Sequence, residues 1–453
     1  MSSGTWLVIA LLVVVAFVVW STARVRMHAF VALILAAFLM GILAGMPLGD
    51  LLNAITSGFG STVSSIGIVI ALGAAMGTIL EKSGGAQTMA RTMLRLVGQA
   101  RSSLAMAMTG YVVSIPVFCD SGFVILSPLN KALARQTGKN VVVLGIALSM
   151  GLYASHTLVP PTPGPIAAAG ALGADLGLVI IYGLVVAFPA MLAGWWFAER
   201  HASRYEATGG QIAAAAEAKP SPQASRPDDA LPSATRSFLP IVVPVLLILL
   251  KSVADLPSRP FGTGLWLSLF DFIGHPVTAL VIGLFLALLT VERRDARVWQ
   301  EWIGEGIGTA GWIVLITAAG GALGQVIRST PLAEFVGSTL SQWHLGLLLP
   351  FLLAAALKTA QGSSTVALIT TSALMAPLLP ALGLDSASGR ALAVLAIGAG
   401  SMVVSHANDS YFWVVTQLTG IDTPTGYRTQ TLGTLVIGIV AIVSVLVLSL
   451  VVL

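Results

Sequence analysis

Apolar stretches long enough to cross a bilayer recur along nearly all of the 453 residues, separated by short polar ones. Runs such as Trp6 to Trp20, Ala29 to Ala44 and Leu432 to Leu453 contain no charged residue at all. At 1.5 Å per residue, about 20 apolar residues cross a hydrocarbon core of roughly 30 Å. The pattern predicts unbroken spans near 5–22, 27–46, 62–80, 176–198, 237–253, 276–291, 310–327 and 431–453. Two further spans, from Asn140 to Leu172 and over 388–418, carry a break. Two more segments, 101–136 and 345–380, are interrupted in the middle. An amphipathic arm near 86–98 precedes the first of these, and an arm starting at Pro331 precedes the second. Met1 to Gly4 lacks the positive charge of a signal peptide, so the first run is expected to remain as a span.

The clearest break is Ser155-His156-Thr157-Leu158-Val159-Pro160-Pro161-Thr162-Pro163-Gly164-Pro165. Proline lacks the N–H and clashes one turn back, so no α-helix runs through it. The peptide groups freed by such a break are tolerated at membrane depth only where protein encloses them. Paired breaks in two halves of a chain point to a transporter binding site. A second half is visible in the letters. Gly73-Ala74-Ala75-Met76-Gly77 is echoed by Gly320-Gly321-Ala322-Leu323-Gly324, Ser155-His156 by Ser405-His406, and Phe123-Val124 by Thr365-Val366, in the same order. The chain thus divides into a first repeat, 1–200, a linker, 201–236, and a second repeat, 237–453. The linker, rich in Pro, Ala and Gly, reads as a solvated spacer.

Composition agrees with a polytopic all-α membrane protein: 56% hydrophobic, 9% charged and a mean hydropathy of +0.91. The single cysteine, Cys119, excludes an intrachain disulfide and reads as a small packing residue. The net charge of +4 gives no nucleic-acid patch, and its use is in topology. Arg91, Arg95 and Arg101 precede the segment 101–136, and Lys131, Arg135 and Lys139 follow it. All belong on the cytoplasmic side if the segment is a re-entrant hairpin. With 345–380 treated likewise, each half has five spans and the second is inverted. Both termini then lie outside, and 18 of the 23 Lys and Arg are cytoplasmic, all but Lys251, Arg259, Arg328, Lys358 and Arg390.

The interruptions resemble a known family. Phe118-Cys119-Asp120-Ser121-Gly122, the proline motif after Ser155-His156, Gln361-Gly362-Ser363-Ser364-Thr365-Val366-Ala367 and Ser405-His406-Ala407-Asn408-Asp409-Ser410 are similar to the motifs of the gluconate permease family. These are gluconate:proton symporters of the bacterial inner membrane, within the ion transporter superfamily. The resemblance covers nearly the whole chain. It implies proton-driven uptake of gluconate or a related small hydroxy acid, with relatives that carry idonate, fructuronate, glycerate and D-serine. It also implies a homodimer whose transport domain, built from the two hairpins and two broken helices, moves against a fixed scaffold. No cofactor is implied.

The residues support a site at the same places. Asp120 and Asp409, and His156 and His406, are the acids and histidines expected at membrane depth, where ionisable groups by default mark a pathway or proton relay. Each also suits a plain structural role, such as capping a broken helix. The helices restarting after the hairpin tips aim free N–H groups at the midplane, which suits a carboxylate. The expected substrate-binding set is Asp120, Ser121, Gly122, His156, Thr162, Lys358, Gln361, Gly362, Ser363, Ser364, Thr365, His406 and Asn408. Lys358 either pairs with the substrate carboxylate or snorkels to the outer surface. Asp120 is the first choice for proton coupling and Asp409 the second, because neutralising a carboxylate prepares the site for an anion. Hydroxyl-lined tips are also compatible with sodium. Adjacent Ser and His hint at an intramembrane serine hydrolase. Yet no Gly-x-Ser-x-Gly or His-Glu-x-x-His motif is present, and neighbours on a helix point about 100° apart. A channel explains two opposed re-entrant tips less well than alternating access does.

Overall fold

The computed structural model describes residues 3–25, 27–98, 101–207, 231–254, 264–292, 296–330, 346–406 and 409–453, and no strand occurs among them. Most of the expected linker (208–230) and the arm expected at Pro331 lie outside the described residues. The first half runs α1 (Ser3–Ala23), α2 (Ala29–Leu43), α3 (Leu48–Ser83), α4 (Gly85–Val97), α5 (Ser102–Val113), α6 (Cys119–Thr137), α7 (Val141–Leu158), α8 (Pro163–Leu172) and α9 (Leu176–Arg200). The second runs α10 (Ala234–Ala254), α11 (Leu265–Gly274), α12 (Pro276–Ala287), α13 (Ile303–Arg328), α14 (Leu348–Gln361), α15 (Ser364–Met375), α16 (Ala387–Ser401), α17 (Ser410–Thr419) and α18 (Leu432–Val452).

Five stretches are long and apolar enough to cross a membrane: 141–172, 176–204, 234–251, 298–328 and 423–452. Two bent pairs, in α3 and in α11 with α12, raise this to seven. The other spans expected from sequence correspond to shorter apolar helices, Ala29–Leu43 and Ala387–Ser401 among them. Large apolar side chains such as Leu12, Trp20, Ile42, Trp196, Leu246, Phe285 and Leu450 stand exposed, as a lipid-facing surface requires.

Three elements differ from the sequence reading. α3 starts at Leu48, well before residue 62, and bends by 43° between Leu48–Ser64 and Gly67–Ser83. In its polar early turns hydroxyls are satisfied within the helix by carbonyls four residues earlier, Thr56 to Leu52 O at 2.9 Å and Thr62 to Gly58 O at 2.9 Å, a bonding that often accompanies a bend. α13 likewise starts earlier than expected, behind a π-helical turn at Val298–Trp302. α11 has no counterpart in the sequence reading. Ten residues are too few for a span, and its Asp271 is tied to Lys251 of α10 at 3.0 Å.

The halves pack with equivalent helices antiparallel. Lys82 near the end of α3 pairs with Glu305 near the start of α13, while Gly58 near the start of α3 lies against Gly321 and Gln325. Gly145 near the start of α7 lies against Thr419 at the end of α17. Arg390 near the start of α16 donates to Leu172 O at the end of α8, at 3.3 Å. Phe197 near the end of α9 meets Gly433 at the start of α18. Small residues allow these close approaches where no hydrophobic drive exists between helices in lipid.

Candidate functional site

Four helices restart in the interior: α6 after Phe118, α8 after Thr162, α15 after Ser363 and α17 after Asp409. α3 holds the first two restarts in place. A side chain at Gly77 would meet Pro116 O at 2.3 Å, and one at Gly73 would meet Pro161 O at 3.1 Å, so the GAAMG motif is the close seat for both first-half breaks. α8 packs on α15 through Gly164 against Thr365 and Leu368. α6 packs on α17, with Phe123 edge-on to Tyr411 at 6.3 Å between ring centres.

Lys358, in the last turn of α14, lies among these restarts with its side chain 0% exposed, so it does not snorkel. Its Nζ donates to Gly362 O at 2.7 Å and to Asp409 Oδ2 at 2.5 Å, and stands 5.8 Å from the centre of the Tyr153 ring. Asp409 is shared: Oδ2 also accepts from Ser405 Oγ at 2.5 Å, and Oδ1 caps α17 by accepting from Tyr411 N at 3.1 Å. The turn leading to Asp409 is strained, with Val404 at a φ of 57°, a region β-branched residues rarely enter. Thr434 accepts from Ser405 N at 2.9 Å, and Thr431 donates to Ser405 O at 2.6 Å, which anchors that turn on α18.

The other expected site residues fall into groups. Asp120 sits in the first turn of α6, its charge felt with those of Asp409 and Lys358, and its buried Oδ1 has no hydrogen-bond partner among the described residues. His156 is 4% exposed, packs on Phe118 at 5.8 Å, and its Nδ1 is likewise without a partner. Ser363 caps α15 by accepting from Val366 N at 3.3 Å; Ser364 and Thr365 are buried behind it, and Gly362 takes a φ of 84° that favours glycine. Gly122 lies against Leu152. Thr162 is buried, and its hydroxyl serves the break itself, lying 3.0 Å from His156 O and 2.7 Å from Val159 O. His406 turns aside, its Nε2 3.0 Å from Thr359 O. Ser121 hydrogen-bonds Glu81 at the end of α3. Asn408 and the Gln361 side chain lie outside the described residues.

Tyr153, Tyr411, Ser405 and Glu81 belong to this neighbourhood although sequence reasoning did not name them as site residues. Tyr153 carried a signal: it precedes His156 by three residues in an otherwise aliphatic run and so shares its face. Among the described residues no group of three or more His, Cys, Asp or Glu is placed to hold a metal ion. The arrangement instead offers a buried ammonium, converging helix N-termini and hydroxyls, the chemistry of an anion site.

The model of the GntP family permeases matches residues 6–451. An uncharacterized permease of Haemophilus influenzae is 38% identical, covering 92% of this chain and 86% of that one. A gluconate permease of Pseudomonas aeruginosa is 35% identical over 100% of this chain and 99% of its own. A D-serine transporter of Escherichia coli is 33% identical, with 99% of each chain covered. Among solved structures, Neisseria gonorrhoeae MtrF, described within a class of antimetabolite efflux pumps, has the same fold with a TM-score of 0.63. It is 15% identical, and the match covers 88% of this chain and 83% of that one.

Proposed function

The chain belongs to the GntP family of permeases and is a multi-pass membrane transporter, and on that premise we propose that it takes up a small hydroxy or sugar acid, gluconate first, by proton symport. One observation carries the reading: a fully buried lysine where four helices restart, with a lone carboxylate, Asp409, as its contact counter-ion among the described residues. A lipid-embedded protein does not keep such a charge without use for it. The substrate carboxylate lies at Lys358 and the helix N-termini. Its hydroxyls meet polar groups left without partners, Asp120 Oδ1 and His156 Nδ1. Ser364 and Thr365 supply further donors, and Asp120 and Asp409 are the proton-coupling carboxylates. The relatives include a D-serine transporter, so D-serine is the second candidate substrate.

The antiparallel packing of α3 with α13, of α7–α8 with α16–α17 and of α9 with α18 supports two inverted repeats. In that arrangement α5–α6 and α14–α15 are re-entrant hairpins from opposite faces. The transport domain moves as an elevator in a homodimer, in a bacterial inner membrane with both termini periplasmic. Counterflow in proteoliposomes with labelled gluconate, glycerate, D-serine and citrate tests the substrate. The expected result is saturable exchange of gluconate, and accumulation when the lumen is made alkaline. Exchange confined to citrate, or accumulation that follows sodium rather than pH, overturns it.

A further inference from the structure

The Lys358 ammonium donates to Gly362 O and to Asp409 Oδ2 and stands 5.8 Å from the centre of the Tyr153 ring. The groups facing Asp409 are Lys358 of α14, Asp120 and Cys119 of α6, Tyr153 and His156 of α7, Tyr411 of α17, and Ser405. α18 adds only threonine hydroxyls around Ser405. Lys358 is thus the one cation among these groups, in contact with Asp409 and within electrostatic reach of Asp120. An anionic substrate arriving at this ammonium would add a third carboxylate. Three negative charges around one buried positive charge is a costly arrangement.

We infer that Asp409 is a built-in stand-in for the substrate carboxylate, released from Lys358 when it takes up a proton, so that one proton enters with each carboxylate. In the exchange a proton from water adds to Asp409 Oδ2 and forms an O–H bond. Lys358 keeps its three protons and moves its hydrogen bond from Asp409 to the substrate. The buried pair stays neutral before and after. When the substrate leaves, the bare ammonium is satisfied only by ionised Asp409, which expels the proton on the same side. The exchange presupposes the transport reading above and adds the partner swap and its stoichiometry. It also places Asp409 ahead of Asp120, the reverse of the order expected from sequence. The plain alternative is a structural ion pair that ties α14 to the start of α17.

The test is the pH dependence of apparent affinity in proteoliposomes, measured with whichever of gluconate, glycerate, D-serine or citrate the wild type exchanges. In the wild type, affinity should tighten by about tenfold per unit fall in pH, because one proton enters with each carboxylate. In Asp409→Asn, whose one amide oxygen can keep either the Lys358 or the Tyr411 N bond and which carries no charge to titrate, affinity should be flat with pH and at least as tight as wild type at pH 7.5. Exchange should persist while accumulation driven by a pH gradient is lost. Lys358→Met should weaken binding by about 10- to 100-fold, the loss of a hydrogen bond to a charged group. Lys358→Met with Asp409→Asn, which removes both members of the ion pair together, covers the case in which Lys358→Met alone does not fold. An Asp409→Asn protein that keeps the wild-type pH slope, or a double variant that still binds with wild-type affinity, overturns the swap and leaves the transport reading standing. A wild type that exchanges none of the four acids overturns both.

Discussion

In the first half, α6 and α8 restart with no side chain capping either end; in the second, Ser363 caps α15 and Asp409 caps α17. The same contrast holds for charge. Asp120 and His156 of the first half keep buried atoms without partners, whereas Asp409 of the second half accepts from Lys358, Ser405 and Tyr411. Two halves that resemble each other in element order therefore differ in how they finish their breaks. An uncapped helix end keeps free N–H groups, and a buried acceptor with no donor is a cost that a ligand can remove. The second half holds its own charge, and the first presents what a ligand would satisfy.

The comparison breaks most completely if the halves are not inverted. A cysteine at Ser221, in the linker, should be shielded from impermeant thiol reagents in intact cells and labelled in inverted vesicles. Labelling in intact cells would place the linker outside and overturn the five-plus-five topology on which the equivalence of the breaks rests.

The next largest effect separates the two aspartates by stability. Asp409→Ala leaves Lys358 buried without its counter-ion, and breaking a buried pair in this way costs about 3–5 kcal/mol. Asp120→Ala removes a carboxylate whose Oδ1 has no partner and which is in no ion-pair contact among the described residues, so it should cost less than about 1 kcal/mol or stabilise the protein. Thermal unfolding in detergent, side by side at pH 7.5, reads the difference. Equal losses would mean that Asp120 is as firmly held as Asp409, and the contrast between the halves would fall.

A smaller effect should appear in binding. Ser364→Ala and Ser121→Ala were equivalent expectations from sequence, each costing about 1.5–3 kcal/mol if the hydroxyl donates to a carboxylate. The structure ranks them. Ser364 is buried next to Tyr153, which carries Lys358 over its ring, whereas Ser121 faces Glu81. Ser364→Ala should weaken apparent affinity by about tenfold or more, and Ser121→Ala by less. The reverse order would move the carboxylate to the α6 side.

Much of this was legible because breaks announce themselves locally. Proline and glycine at 116, 160–165 and 362 mark where helix cannot continue, and the repeated motifs mark where the second set lies. The GAAMG motif was visible as a repeat, but its task of seating Pro116 and Pro161 was not, because that contact joins residues far apart in the chain. Lys358 and Asp409 are 51 residues apart, so their pairing could not be read from either neighbourhood. Glu81 followed an apolar run and so read as a residue at the end of a span; only packing brings it to Ser121. The early turns of α3 were missed because their polar letters look like a loop until the hydroxyls are seen to bond within the helix.

The smallest effect concerns the caps. Ser363→Ala removes the side chain that accepts from Val366 N, and loss of an N-cap costs about 0.5–2 kcal/mol. At 3.3 Å the bond is long, so the lower end of that range is expected. The amides of α15 would then be as free as those of α6 and α8. If free N–H groups are what an anion uses, the variant should lose a little stability without substrate yet bind it as tightly as wild type, so that saturating substrate restores the lost melting temperature. If Ser363 instead donates to the substrate, as the sequence reading allowed, affinity should fall about tenfold, and a given saturating substrate concentration should stabilise the variant by about 1.4 kcal/mol less than it stabilises wild type. Melting curves with and without gluconate separate these outcomes, and they decide whether the cap in the second half is structure alone or a part of the site that the first half lacks.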